Sequence, residues 1–175
     1  MLIAIGGPAG SGKTTLANAV AARLDCAHLD FDVVTSELVA VGRSARPDLS
    51  EATLLADLRQ SRYRTLARAV EDALAENPPW LVVSAPFTAE AGDRHAWQAW
   101  THALPAHTPI VFVWISVDPQ ERRRRMLARG SSRDAELLER GGPVPAVPDP
   151  VIDHLAVTAR TPLAAKVDAV IAAIS

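Results

Sequence analysis

The sequence predicts an α/β fold built on a mostly parallel sheet. Short apolar runs, among them Leu2–Ile5, Trp80–Val83 and Ile110–Val117, recur along the chain. Between them lie longer stretches whose apolar residues fall at helical spacing. A glycine-rich turn directly follows the first run and leads into one of those helical stretches.

Leu2-Ile3-Ala4-Ile5 is ended by Gly6-Gly7 and reads as a first, buried strand. Leu16, Val20 and Leu24 then recur at i, i+4, i+8, the pattern of a helix lying on a sheet. Cys26–Leu29 reads as a short second strand, and Arg43–Ser50 as a loop. Ser50 is placed to cap one long helix that carries Leu54, Leu58, Leu66, Val70 and Leu74 near one face, stopped by Asn77-Pro78-Pro79. Trp80–Val83 is a third strand. Thr88 could cap a helix with Trp97, Trp100 and Leu104 at i, i+3, i+7, which are packing positions. After the strongly apolar run Ile110–Val117, Asp118-Pro119-Gln120-Glu121 combines an aspartate cap, a proline at the first helical position and a capping-box glutamate. Gly141–Pro150 reads as a loop and His154–Thr158 as a last strand. Thr161-Pro162 opens a final helix with Leu163, Val167, Val170 and Ile174 inward. No boundary divides the chain, so residues 1–175 are expected to form one domain.

The 175 residues, 49% of them hydrophobic, suffice for a sizeable core without disulfides. The single cysteine, Cys26, cannot form an internal disulfide, and no signal-peptide pattern opens the chain. Both point to a cytoplasmic protein. No apolar run approaches the ~20 residues that span a bilayer. A net charge of −2 argues against broad nucleic-acid binding. The five histidines show no metal-ligand spacing.

Gly7-Pro8-Ala9-Gly10-Ser11-Gly12-Lys13-Thr14 fits G-x-x-x-x-G-K-[ST] at every fixed position. Glycines let the backbone curl so that successive N–H groups face an anion, and the next helix presents its positive end to it. Lys13 is one of only two lysines in an arginine-rich chain, and it supplies a mobile point charge for the β- and γ-phosphates. The Thr14 hydroxyl is placed to ligate Mg²⁺.

The segment Gly6–Thr15 resembles the Walker A loop of the small P-loop kinases. That group includes shikimate kinase, gluconate kinase, adenylate kinase, chloramphenicol phosphotransferase and uncharacterised small kinases of AAA type. The resemblance implies a P-loop NTPase fold, with a five-stranded parallel sheet in the order 2-3-1-4-5, helices on both faces and a short lid over about 119–145. It implies that ATP is bound by Gly7, Ala9, Gly10, Ser11, Gly12, Lys13, Thr14 and Thr15. It also implies transfer of the γ-phosphoryl group to a hydroxyl of a small molecule. A nucleotide or polynucleotide kinase, and an accessory ATPase or nucleotide switch without an acceptor, are the alternatives.

Leu29-Asp30-Phe31-Asp32 would emerge at the edge of the sheet where the loop lies. In extended chain Asp30 and Asp32 would face one way and Phe31 the other. A carboxylate there can position and deprotonate an acceptor hydroxyl. By the resemblance, Asp30 supports the metal with Thr14, and Asp32 is the base or acceptor anchor. Asp32 could instead cap a helix over Val33–Val39. Walker B strands often end in an acid, whereas Leu81-Val82-Val83 runs into Ser84, which leaves Ser84 or Asp30 to fill that role.

Arg122–Arg125 sit on the capped helix, with Arg129 and Arg133 following. At 100° per residue, Arg122, Arg125 and Arg129 form one stripe within roughly 60°. Arg123 and Arg124 fall off it and read as solvated charge. The segment resembles a kinase lid, which implies Arg125, Arg129 and Arg133 over the phosphates, with Lys13, Asp32, Arg125 and Arg129 catalytic. The run could instead be a solvated basic face, or an acidic-lipid or nucleic-acid patch. Arg59, Arg62 and Arg64 on the long helix, with Phe87 and Arg94, are candidates for the acceptor side, without a choice among them.

Overall fold

The computed structural model describes residues 1–130, Leu138 and 144–175. Strands β1 (Leu2–Gly6), β2 (His28–Asp30), β3 (Leu81–Ser84), β4 (Ile110–Ser116) and β5 (Leu155–Thr158) form one parallel sheet in the order β2-β3-β1-β4-β5. This is the expected order. It places β1 in the centre, where all five of its residues are buried.

The period of two along β1 builds two cores. Leu2 and Ala4 join Leu66, Val70, Val83, Phe87 and Trp100 on one face. Ile3 and Ile5 join Leu16, Val20, Val113, Val167 and Val170 on the other. The first face is covered by α5 (Arg59–Ala75) and α6 (Arg94–His102), the second by α1 (Lys13–Leu24) and α8 (Leu163–Ile174). Each fully buried Leu or Val contributes about 1.5–3 kcal/mol. The loop after β1 and the end of β2 therefore project from a rigid edge.

Several boundaries differ from expectation, each for a local reason. β2 ends at Asp30, because the Asp30 side chain accepts from Asp32 N and Val33 N and so caps α2 (Phe31–Val34). After Thr35, α3 (Ser36–Ala45) occupies chain that was expected to be partly loop. The single long helix is two, α4 (Glu51–Asp57) and α5, joined at Leu58, whose N–H is shared between the carbonyls of Leu54 and Ala56. A Cβ on Gly42 of α3 would lie 2.7 Å from Leu58 Cδ1, so this glycine admits the corner where α4 meets α5. Asp93, not Thr88, caps α6 by accepting from Ala96 N at 2.9 Å.

Helix α7 (Pro119–Arg129) starts as expected, with Asp118 accepting from Gln120 N and Glu121 N. The Glu121 carboxylate turns to Arg124 and Arg125 rather than completing a capping box. Leu163 is 39% exposed, so the inward face of α8 begins at Val167. No helix among the described residues is long and apolar enough to cross a membrane.

Candidate functional site

The loop between β1 and α1 takes its shape from three positive-φ glycines, Gly7 (147°), Gly10 (79°) and Gly12 (94°). At Gly7 a Cβ would stand 2.7 Å from both Ile115 O and Ser11 Oγ, so no other residue fits without displacing the strand beside it. Gly12 hands over directly to α1, whose first residues are Lys13, Thr14 and Thr15. The positive helix end and the loop amides therefore share one concavity.

Lys13 Nζ donates to Pro8 O at 3.0 Å and so folds back across the loop. Desolvation in this crowded setting pulls the ammonium pKa down from 10.5 to about 8. The charges of Asp32 and Asp30 oppose the shift, and Arg129 and Arg122 reinforce it.

Asp30 is held by four donors. Oδ1 accepts from Asp32 N at 2.9 Å and Val33 N at 3.4 Å. Oδ2 accepts from Thr14 Oγ1 at 2.8 Å and Ser84 Oγ at 3.0 Å. The Thr14 hydroxyl thus gives its proton to Asp30, which leaves its lone pairs available to a hard cation. In this respect Thr14 and Asp30 fit Mg²⁺. Among the described residues no group of three or more His, Cys, Asp or Glu gathers as a metal cluster.

Asp32 does not share an extended strand face with Asp30, as expected from the D-x-D spacing. It lies in the first turn of α2. Even so, both aspartates line one cavity of about 220 Å³ with Lys13, Thr14, Arg62 and Arg129. Arg62 comes from α5. Its Nη2 donates to Asp32 Oδ1 at 2.6 Å and its Nε to Thr35 Oγ1 at 2.8 Å, and the guanidinium lies 4.1 Å from the Phe31 ring centre. Of the three arginines left open on the long helix, only Arg62 lines this cavity. Arg59 pairs with Glu90, and Arg64 lines other surface grooves. Phe87 is fully buried in the core, and Arg94 lines a cleft beside Trp97 and Ile152, so neither lines this cavity.

A second groove of about 450 Å³ runs along Gly10, Gly12, Lys13, Thr14 and Thr15, with Arg125 and Arg129 on its far side. The two cavities have Lys13, Thr14 and Arg129 in common.

The stripe on α7 turns toward the loop. Arg122 Nε donates to Ala9 O at 3.1 Å, and Arg125 Nη2 to Ala159 O at 3.1 Å. Arg125 Nε also bonds Glu121 Oε1 at 2.6 Å. Arg124, 70% exposed, pairs with Glu121, whose carboxyl these hydrogen bonds hold down at about 2. Arg123 is half-buried, with Nη2 3.5 Å from Leu138 O, and so is less solvated than expected. Arg133, with the rest of 131–137 and 139–143 of the expected lid over 119–145, lies outside the described residues.

Ser84, at the end of β3, is buried at the position where an acid was missing. His28 was not anticipated. Its Nε2 lies 2.9 Å from Ser84 Oγ and its Nδ1 2.7 Å from the Asn18 amide. The i, i+2 alternation that failed for Asp30 and Asp32 holds for His28 and Asp30, which both lie in β2.

A family model described as an AAA domain matches residues 2–141. Three solved structures illustrate the similarity in fold. The APS kinase of Mycobacterium tuberculosis, solved with AMPPNP and APS, has a TM-score of 0.68 at 22% identity over 99% of this chain and 96% of its own. A sugar kinase from Janibacter sp. HTCC2649 has a TM-score of 0.66 at 21% identity, covering 98% and 92%. A gluconokinase from Sinorhizobium meliloti 1021 has 0.64 at 20%, covering 97% and 89%. A search of curated proteins finds no match. At these identities the solved structures bear on the fold.

Proposed function

The chain belongs to the AAA domain family, and from its site we propose that it is an ATP-dependent phosphotransferase that moves the γ-phosphoryl group to a hydroxyl of a small molecule. One observation carries this reading. A phosphate-binding groove and a separate cavity lined by carboxylates and an arginine meet at Lys13, Thr14 and Arg129. A protein that only holds or hydrolyses nucleotide has no need of the second chamber. The kinases among the structures of similar fold support the same choice.

In this reading the loop amides of Gly7–Thr15 bind the phosphates, and Lys13 turns from Pro8 O to the β- and γ-phosphate oxygens. Mg²⁺, held by Thr14 with Asp30 behind it, would neutralise charge between those phosphates. Asp32 accepts the acceptor's hydroxyl proton as the oxygen attacks the γ-phosphorus in line and the bond to the β,γ-bridging oxygen breaks. The products are the phosphorylated acceptor and ADP. Arg129, and Arg133 with it, meet the charge that spreads over the transferring group. Arg125 braces the groove through Gly10 and Ala159, and the chain works as one domain with α7 at the base of its lid.

The test is a panel of sugars, amino-alcohols, hydroxy acids and nucleosides incubated with Mg·ATP, following ADP release and the phosphorus NMR signal of the product. A phosphomonoester formed only with an acceptor is expected. Acceptor-independent release of inorganic phosphate would favour an accessory ATPase, and phosphorylation of nucleosides or nucleotides alone would favour a nucleotide kinase.

A further inference from the structure

We infer that His28 is a positioning residue for the metal side of the site, acting through Ser84 on Asp30. The inference rests on the reading of Thr14 and Asp30 as the residues that hold Mg²⁺. The contacts form one chain, from the Asn18 amide through the His28 ring, Ser84 Oγ and Asp30 Oδ2 to Thr14 Oγ1, with successive separations of 2.7, 2.9, 3.0 and 2.8 Å. It joins α1, β2 and β3, the last two held in register with Asp30 opposite Ser84.

Proton accounting gives the chain a direction. A carboxylate only accepts, so Asp30 Oδ2 takes the single hydroxyl proton of Thr14 and the single hydroxyl proton of Ser84. Ser84 then has no proton left for His28, and Nε2 must donate to Ser84 Oγ. A neutral ring with its proton on Nε2 has Nδ1 as an acceptor. In the structure Asn18 Oδ1 faces Nδ1 at 2.7 Å; the two ends of that amide have the same shape, and the proton count calls for the flipped orientation, with its NH₂ toward the ring. His28 thus sets the Ser84 hydroxyl, and Ser84 holds Asp30 toward Thr14. Without the ring N–H, Ser84 can rotate its proton away and Asp30 loses one of two supports on Oδ2. A strand end that lacks an acid thereby still presents a fixed carboxylate, contributed by its neighbour.

Partners one shell out from a metal typically change its affinity by about 10–100-fold. The experiment measures AMPPNP affinity by calorimetry with and without Mg²⁺, and takes the ratio as the coupling between metal and nucleotide. His28→Ala should lower that ratio about tenfold and leave the metal-free affinity within about twofold. His28→Gln, which keeps an N–H near the position of Nε2, should recover most of the coupling. Nitrogen NMR of the free protein should show the His28 proton on Nε2. Full coupling in a folded His28→Ala protein overturns the inference. So does an equal fall in both affinities, or a proton found on Nδ1. A wild-type protein that binds AMPPNP without any effect of Mg²⁺ defeats the underlying reading as well, which separates the two failures.

Discussion

Arg62 Nη2 lies 2.6 Å from Asp32 Oδ1, and the two side chains differ sharply in exposure, 8% against 48%. The guanidinium is fixed by Thr35 and the Phe31 ring, while the carboxylate reaches over it into the cavity beside Lys13. A buried cation thus steers an exposed carboxylate.

Asp32→Asn should lower phosphoryl transfer by about 10²–10⁴, because it removes the base and keeps the shape. Nucleotide affinity should stay as it was, since the loop and Lys13 carry it. Separate titration of nucleotide binding and single-turnover transfer checks both halves. Unchanged transfer would remove Asp32 from the chemistry.

Lys13→Ala should abolish transfer in a protein that still folds. The lysine also predicts a proton signature. Its folded pKa of about 8 lies below the 10.5 of a free lysine, so between those values the unfolded chain binds more protons. This group's contribution therefore makes stability rise with pH through that window, and thermal melts of wild type and Lys13→Met should diverge there. Phosphates restore the charge, so ATP binding near pH 9 should draw a proton from the buffer. Calorimetry in two buffers of different ionisation enthalpy detects the uptake, and Lys13→Ala should lose it.

Arg129→Ala should slow transfer far more than Arg124→Ala, by about 10²-fold or more if Arg129 meets developing charge. Arg129 lines both cavities, whereas Arg124 points to solvent and pairs with Glu121. Arg125→Ala should raise KM for ATP, because it loosens the groove wall at Gly10 and Ala159. Steady-state kinetics of the three variants decide, and equal effects would reduce the run to a solvated face.

Leu66→Ala should cost about 2–5 kcal/mol of stability. Leu66 is fully buried between α5 and the sheet, one turn from Arg62. Urea unfolding should show a lower midpoint with an unchanged m-value.

The loop was legible in the sequence because every part of it is local. Gly7 to Thr15 is one contiguous segment whose geometry follows from glycine backbone freedom and the start of a helix. The strand order was legible only through resemblance, since apolar runs alone do not say which strands are neighbours. The Asp118-Pro119 cap was local too, and it held.

The rest was decided where distant segments meet. Which of Arg59, Arg62 and Arg64 enters the site depends on how α5 rotates onto the sheet, and that rotation is set by Leu66 and Val70 seeking the core. The role of His28 depends on the register of β2 against β3, which brings Ser84 beside Asp30 across 54 positions of chain. At Asp30 itself two local tendencies compete. Extended backbone would carry the strand on to Asp32, but a side-chain carboxylate that accepts from the next two amides starts a helix instead. Local pattern is consistent with either outcome. Docking α2 against α5, with Arg62 between Phe31 and Asp32, favours the helix, because only in that arrangement does the buried guanidinium find its carboxylate.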